Sequence, residues 1–195
     1  MRCSLSVLFV LGVLWLARPI PAQNPSTTPD NTKNPPVYTD PEAYDLYSWI
    51  LELQSESVQQ IVVTRETEPH KMCLKPSDEP NPSIRAAMVD YVKANQNSFE
   101  LQPAFQVSRP YTLVSRQDLS RLIGGTWKDF HLTYPNSGGV QTFSAVGFSR
   151  DKTIAVVYYS QVGNLFGGTG AISVFQKVGG KWRELWRKTM CRWIA

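Results

Sequence analysis

"VGNLFGGTGAISVF" (residues 162–175) sets Gly163, Gly167, Gly168 and Gly170 directly ahead of an apolar run. A loop that cradles phosphate needs its glycines between a strand and a helix, because the aligned amides of the helix N-terminus hold the anion. Gly170 is succeeded by Ala-Ile-Ser-Val-Phe-Gln, apolar and polar in alternation, which is the period of a strand. The Lys-Ser/Thr pair of a nucleotide-binding loop is missing as well. The glycines therefore read as a bulged or wide turn joining two strands. Exposed amides that contact a ligand are the alternative.

Outward from this bend the chain is β-patterned. "VQTFSAVGF" (140–148) and "TIAVVYYSQ" (153–161) are joined by a tight "SRDK", and "GAISVFQKV" (170–178) meets "KWRELWRKTMCRWIA" (181–195) through Gly179-Gly180. Two glycines in a two-residue loop suit the primed hairpin turns. These links predict an antiparallel meander.

The N-terminal half is helical in pattern. Asp40 and Pro41 are a cap and a first-turn residue, and Ala43, Leu46, Tyr47, Ile50 and Leu51 then share one helical face. A second helix over "PSIRAAMVDYVKANQ" (82–96) takes Ser83 as cap and presents Ile84, Ala87, Met88, Tyr91 and Val92. "QQIVVTRET" and "RPYTLVSR" read as short strands, and Ser115/Asp118 and Thr126/Asp129 resemble capping boxes of two short helices parted by Gly124-Gly125. Helices mostly first and strands mostly last predict an α+β fold, a four- to five-stranded antiparallel C-terminal meander packed by two main N-terminal helices.

The ends of the chain suggest an address. Arg2, an apolar run from Leu5 to Ala17 and Ile20-Pro21-Ala22 have the layout of a cleaved signal peptide over residues 1–22, too short an apolar stretch to span a bilayer comfortably. Residues 23–39, rich in Pro, Asn, Ser and Thr, read as a disordered leader, and residues 40–195 as one domain. The expected location is secreted or periplasmic, with no membrane span after cleavage. The formal charge of +4 loses Arg2 and Arg18 with the signal, so the basic balance gives no support to nucleic acid as a partner.

Cys73 and Cys191 are the thiols left after cleavage, and export makes a disulfide between them the economical reading. A reactive thiol beside His70 is the alternative. With His131 the only other histidine, the ligands for a metal site are too few, and no metal or cofactor is expected. Asp129 and His131 lie two residues apart on a predicted helix, so they do not share a face as a base and its orienting acid would. No serine has the context of a nucleophile elbow.

The expected functional surface is the sheet. In 154–159 both alternating faces are apolar or aromatic, with Ile154, Val156 and Tyr158 on one and Ala155, Val157 and Tyr159 on the other. One face must pack the helices, and the other is a candidate ligand or self-association surface. Tyr159, Ser173, Phe175 and Trp186 are the candidate ligand-binding residues. Basic residues interleave with Trp182, Trp186 and Trp193, as in an edge strand guarded by charge.

"WKDFHLTYP" (127–135), "FSAVGFSRDKTIAVVY" (143–158), the GGTG bend and "KVGGKW" ahead of the terminal "RWIA" resemble a group of uncharacterised exported bacterial proteins. The resemblance covers the C-terminal part of the chain and implies a bacterial cell-envelope or secreted setting, with no catalytic residues attached. Those relatives often carry cysteines in the glycine-rich loop, and this chain has none between Gln161 and Gly170. Helices before a curved sheet ending in GKW are also loosely similar to the nuclear-transport-factor-2-like superfamily, which implies a fold and no chemistry. The expectation is a non-enzymatic binding or interaction module of the bacterial envelope, its ligand or envelope-protein partner unidentified. A hydrolase or thiol enzyme using Asp129, His131 or Cys73, and a structural homodimer subunit, are its rivals.

Overall fold

A computed structural model of the chain describes residues 35–70, 74–164, 167–187 and 193–194. The expected signal peptide, most of the leader, Cys73 and Cys191 lie outside the described residues. The fold is α+β. Helix α1 (Pro41–Gln54) starts where Asp40 Oδ1 accepts the Glu42 amide at 3.0 Å, and every residue of its predicted apolar face is buried. Helix α2 (Pro82–Ala94) is capped by Asn81, whose Oδ1 accepts the Ser83 and Ile84 amides at 2.9 and 3.2 Å. The expected cap Ser83 is one residue inside the helix, because Pro82 takes the first helical position and leaves the capping role to Asn81. Ser115 Oγ accepts the Asp118 amide to start α3 (Arg116–Gly125), and α4 (Trp127–Thr133) comes after Thr126.

Strands β1 (Gln60–Thr64), β2 (Tyr111–Val114), β3 (Ser137–Phe143), β4 (Gly147–Phe148), β5 (Ile154–Asn164), β6 (Gly167–Val178), β7 (Lys181–Arg187) and β8 (Trp193–Ile194) form one open, mixed sheet. Its order is β2-β1-β3-β5-β6-β7, with β4 extending β3 along β5 and β8 sitting on β6. The segment β3-β5-β6-β7 is the antiparallel meander, closed between β6 and β7 by Gly179 and Gly180 at φ 57° and 78°. Strands β2, β1 and β3 are parallel to one another and widen the sheet beyond the meander.

Both faces of the sheet are covered. Helix α1 and the stretch through Leu101 and Phe105 pack on Ile61, Val63, Phe143, Val157, Tyr159 and Phe175. On the opposite face α2 packs on Ile154, Val156, Tyr158, Ile172 and Val174, while α3 and α4 cover Val62, Val114 and Val140. Tyr38, which the sequence places in the leader, belongs to the first of these cores. Burial pushes its hydroxyl pKa up to about 12.

The predicted strand 140–148 breaks at Ser144–Val146, which stand opposite Val157 and Tyr158 as a bulge of one extra residue. Side chains satisfy the freed backbone groups. Asn95 Oδ1 accepts the Ala145 amide at 3.0 Å and its Nδ2 donates to the Ala145 carbonyl at 2.9 Å; Tyr47 Oη donates to the Ser144 carbonyl at 2.7 Å, and Tyr38 Oη accepts the Val146 amide at 3.0 Å. Next along, Gly147 lies so close to α2 that a Cβ there would stand 2.1 Å from the Tyr91 nitrogen. Among the described residues no helix is long and apolar enough to cross a membrane.

Asn95→Ala leaves the buried Ala145 amide without its protein partner, while the Ala145 carbonyl still accepts from Ser144 Oγ at 2.9 Å, and is expected to cost about 1–3 kcal/mol in urea unfolding. Gly147→Ala forces backbone against backbone and should cost at least as much. Gly124→Ala in α3, where an added Cβ meets nothing within 4 Å, should leave stability unchanged or raise it by up to about 1 kcal/mol.

Candidate functional site

Helix α2 covers one end of its face and α3–α4 the other, and between them the buried Thr142 and Ser160 form the floor of a depression. A cleft of about 350 Å³ opens there. Its far walls are Leu119 and Ile123 of α3 and Trp127 of α4; Glu68 and His70 reach it from the segment after β1, and Trp193 from β8.

Tyr158 is the centre of the site. The His70 ring stacks on it with centroids 4.1 Å apart and planes 7° from parallel. Trp193 Nε1 donates to its hydroxyl at 2.9 Å. The His70 backbone is itself held from α2, where Tyr91 Oη donates to the His70 carbonyl at 2.5 Å. The glycine-rich bend gives Trp193 its place: a Cβ on Gly170 would stand 2.4 Å from the indole Nε1 and 2.8 Å from the Tyr158 hydroxyl, and one on Gly168 would meet the same indole at 2.9 Å. The bend has strands on both sides and no helix after it, as the alternation beyond Gly170 requires.

Burial sets the charge of the two central groups. It holds the His70 imidazole below its ordinary pKa, with Glu68 pulling weakly the other way. It raises the Tyr158 phenol, against hydrogen bonds from Ser160 and Trp193. At neutral pH the ridge is thus an uncharged imidazole on an uncharged phenol. The Glu68 carboxylate makes no hydrogen bond or ion pair with any described residue, and its amide is tied to the Phe143 carbonyl at 2.8 Å.

The residues expected from sequence to form the binding surface lie elsewhere. Tyr159, Ser173 and Phe175 face the opposite side of the sheet, under α1, and are at most 6 % exposed. Trp49 of α1 packs edge-on to Phe175 at 5.7 Å. The face expected to be open is covered there, and β5 is apolar on both faces because helices pack on both. Trp186 pairs through its backbone with Val174, and its side chain lies outside what the structure describes. Asp129 and His131 do not meet as a catalytic pair. His131 Nε2 lies 2.8 Å from the Gly163 carbonyl, and Asp129 accepts from Thr126 at 3.4 Å. Among the described residues no three His, Cys, Asp or Glu side chains gather as metal ligands.

Further grooves lie outside this cleft. The one beside α1, about 430 Å³, is lined by Tyr44 and Ser48, whose hydroxyls already accept the Gln102 and Gln106 amides. Another, between α2 and the β4–β5 turn, is lined by charges of both signs, and a third runs along the edge of β2.

The His70 shift sets a pH dependence. Its folded pKa lies below the ordinary value of 6.5, so the unfolded chain takes up the proton first. The stability contributed by the neutral imidazole is full above that value and is lost as pH falls through the folded pKa. Melting curves between pH 7.5 and 5 should show a decline that is shallower in His70→Gln, and the His70 ring protons should titrate below 6.5 by NMR.

Comparison with models of known protein families, with curated proteins and with solved structures finds no match for this chain.

Proposed function

We propose that the chain is an exported binding module of the bacterial envelope that takes a small ligand in the cleft between α2 and α3–α4. The observation that carries this reading is the convergence of His70 and Trp193 on Tyr158 in a cleft floored by Thr142 and Ser160. Preformed apolar clefts with a few placed polar groups are where proteins bind small molecules, and about 350 Å³ lies at the small end of their range. Binding is favoured over turnover because the His70 ring is engaged with Tyr158, and neither Thr142 nor Ser160 is hydrogen bonded to it. The exported setting rests on the apolar run Leu5–Ala17 and on the resemblance to exported bacterial proteins.

A Cys73–Cys191 disulfide belongs to the same proposal. Cys73 lies three residues after His70, and Cys191 precedes Trp193 by two. Both cysteines are thus near in sequence to residues that meet at Tyr158. In an exported chain a bond between its two thiols is the economical arrangement. Such a bond would staple the two sides of the cleft.

Two measurements test these readings. Intact mass after alkylation should show no added alkyl groups on the two thiols until the purified mature chain is reduced; labelling without reduction removes the staple. Small aromatic and apolar fragments detected by ligand-observed NMR should lose about tenfold or more in affinity on Thr142→Leu, which fills the floor of the cleft. Fragment binding that ignores that change would place the ligand elsewhere.

A further inference from the structure

We infer that the ligand class of this cleft is a small organic cation, an alkylated ammonium or a guanidinium group. The inference rests on the binding reading above and gives it a chemistry. Its basis is the juxtaposition of aromatic rings with an unpaired carboxylate. Trp127, Tyr158 and Trp193 line the cleft together with the His70 ring, and among the described residues Glu68 is its only charged lining residue. Among the described residues no lysine or arginine lines it.

Each part selects for positive charge. Aromatic faces carry negative electrostatic potential and attract ammonium and guanidinium groups, most strongly when water is excluded. The Glu68 carboxylate is half-buried and has no partner among the described residues, so a ligand that covers it must supply positive charge or hydrogen-bond donors. A neutral apolar ligand would bury that carboxylate unpaired, which is costly. An anion would meet it as a like charge. The other grooves differ on this point. Asp45, in the groove beside α1, already accepts from Lys177 at 2.8 Å and from Trp182 Nε1 at 3.0 Å. Two other grooves contain arginine: Arg85 and Arg150 between α2 and the β4–β5 turn, Arg65 along β2.

The test uses the full mature chain and three probes of similar size at constant ionic strength. These are choline, its neutral isostere 3,3-dimethylbutan-1-ol, and benzoate as an aromatic anion, monitored by tryptophan fluorescence and by NMR shifts of the Trp193 indole. Choline is expected to bind about tenfold or more tightly than the neutral isostere, and benzoate not at all. Glu68→Gln should weaken choline about tenfold while leaving the isostere and the melting temperature unchanged, and Trp193→Leu should weaken choline as well. If the isostere or benzoate perturbs the Trp193 indole as strongly as choline, the cation assignment is wrong while the cleft remains a binding site. If choline fails but other fragments bind in a manner sensitive to Thr142→Leu, the assignment is likewise wrong and the cleft reading survives. If no probe or fragment perturbs the cleft, both fall together.

Discussion

The bulge at Ser144–Val146 is the constraint on which the other elements depend. A sheet strand that gains a residue loses its ladder partners there, and buried amides and carbonyls without partners are costly. Asn95, fully buried at the end of α2, supplies both an acceptor and a donor to Ala145, imitating a neighbouring strand. Tyr47 reaches the same bend from α1, and Tyr38 from the segment before it. Helices on opposite faces of the sheet are thus fastened to one point. The bend also reaches the cleft, because the Ser144 amide donates to the Tyr158 carbonyl and the Tyr158 amide donates to Ser144 Oγ, both at 2.9 Å. The backbone of the residue at the centre of the site is held by the bulge that holds the helices.

A second tie sits at the far end of α1. Lys177 of β6 donates to Glu42 and Asp45 at 2.6 and 2.8 Å, and Trp182 of β7 donates to Asp45. Those two carboxylates raise the Lys177 pKa, so the ion pairs favour its charged form. Exposed ion pairs contribute little singly. This one gains from the indole, whose ring is buried and lies 5.2 Å from the ammonium. With Tyr47 at the bulge and Lys177 on the meander, α1 is fixed along its length over the Tyr159 and Phe175 face.

How much of this was legible depends on the range of each interaction. The apolar face of α1, its Asp40 cap, the run of β5, β6 and β7 and the Gly179-Gly180 turn all rest on neighbours in sequence, and local pattern reveals them. The break between β3 and β4 was hidden because Ser144–Val146 look like strand residues, and their partners at 38, 47 and 95 are remote. The parallel pairing of β1 with β2 and β3 is equally non-local. Apolar residues on both faces of β5 were visible, and a strand covered on both sides has that pattern. Taking one face as open led to Tyr159, Ser173 and Phe175, one residue out of phase with Tyr158 and Ser160. In a strand, a shift of one residue moves each side chain to the other face.

The glycine-rich bend shows how a local signal can mark a site without forming it. Gly168 and Gly170 share the face that carries Ile172 and Val174, so the apolar stripe of β6 stops where its side chains stop. Helix α2 packs on the stripe and has nothing to pack on beyond it. The bare backbone instead receives the flat indole of Trp193, close enough to hydrogen bond to Tyr158. A residue as small as alanine at Gly170 would occupy the space of the indole nitrogen and the tyrosine hydroxyl together. The missing side chains thus do two things at once: they end the helix-packing surface and they seat the aromatic wall of the cleft. A phosphate loop uses glycine to bring its amides to a ligand, whereas this strand uses glycine to let the Trp193 ring of β8 reach the Tyr158 hydroxyl of β5.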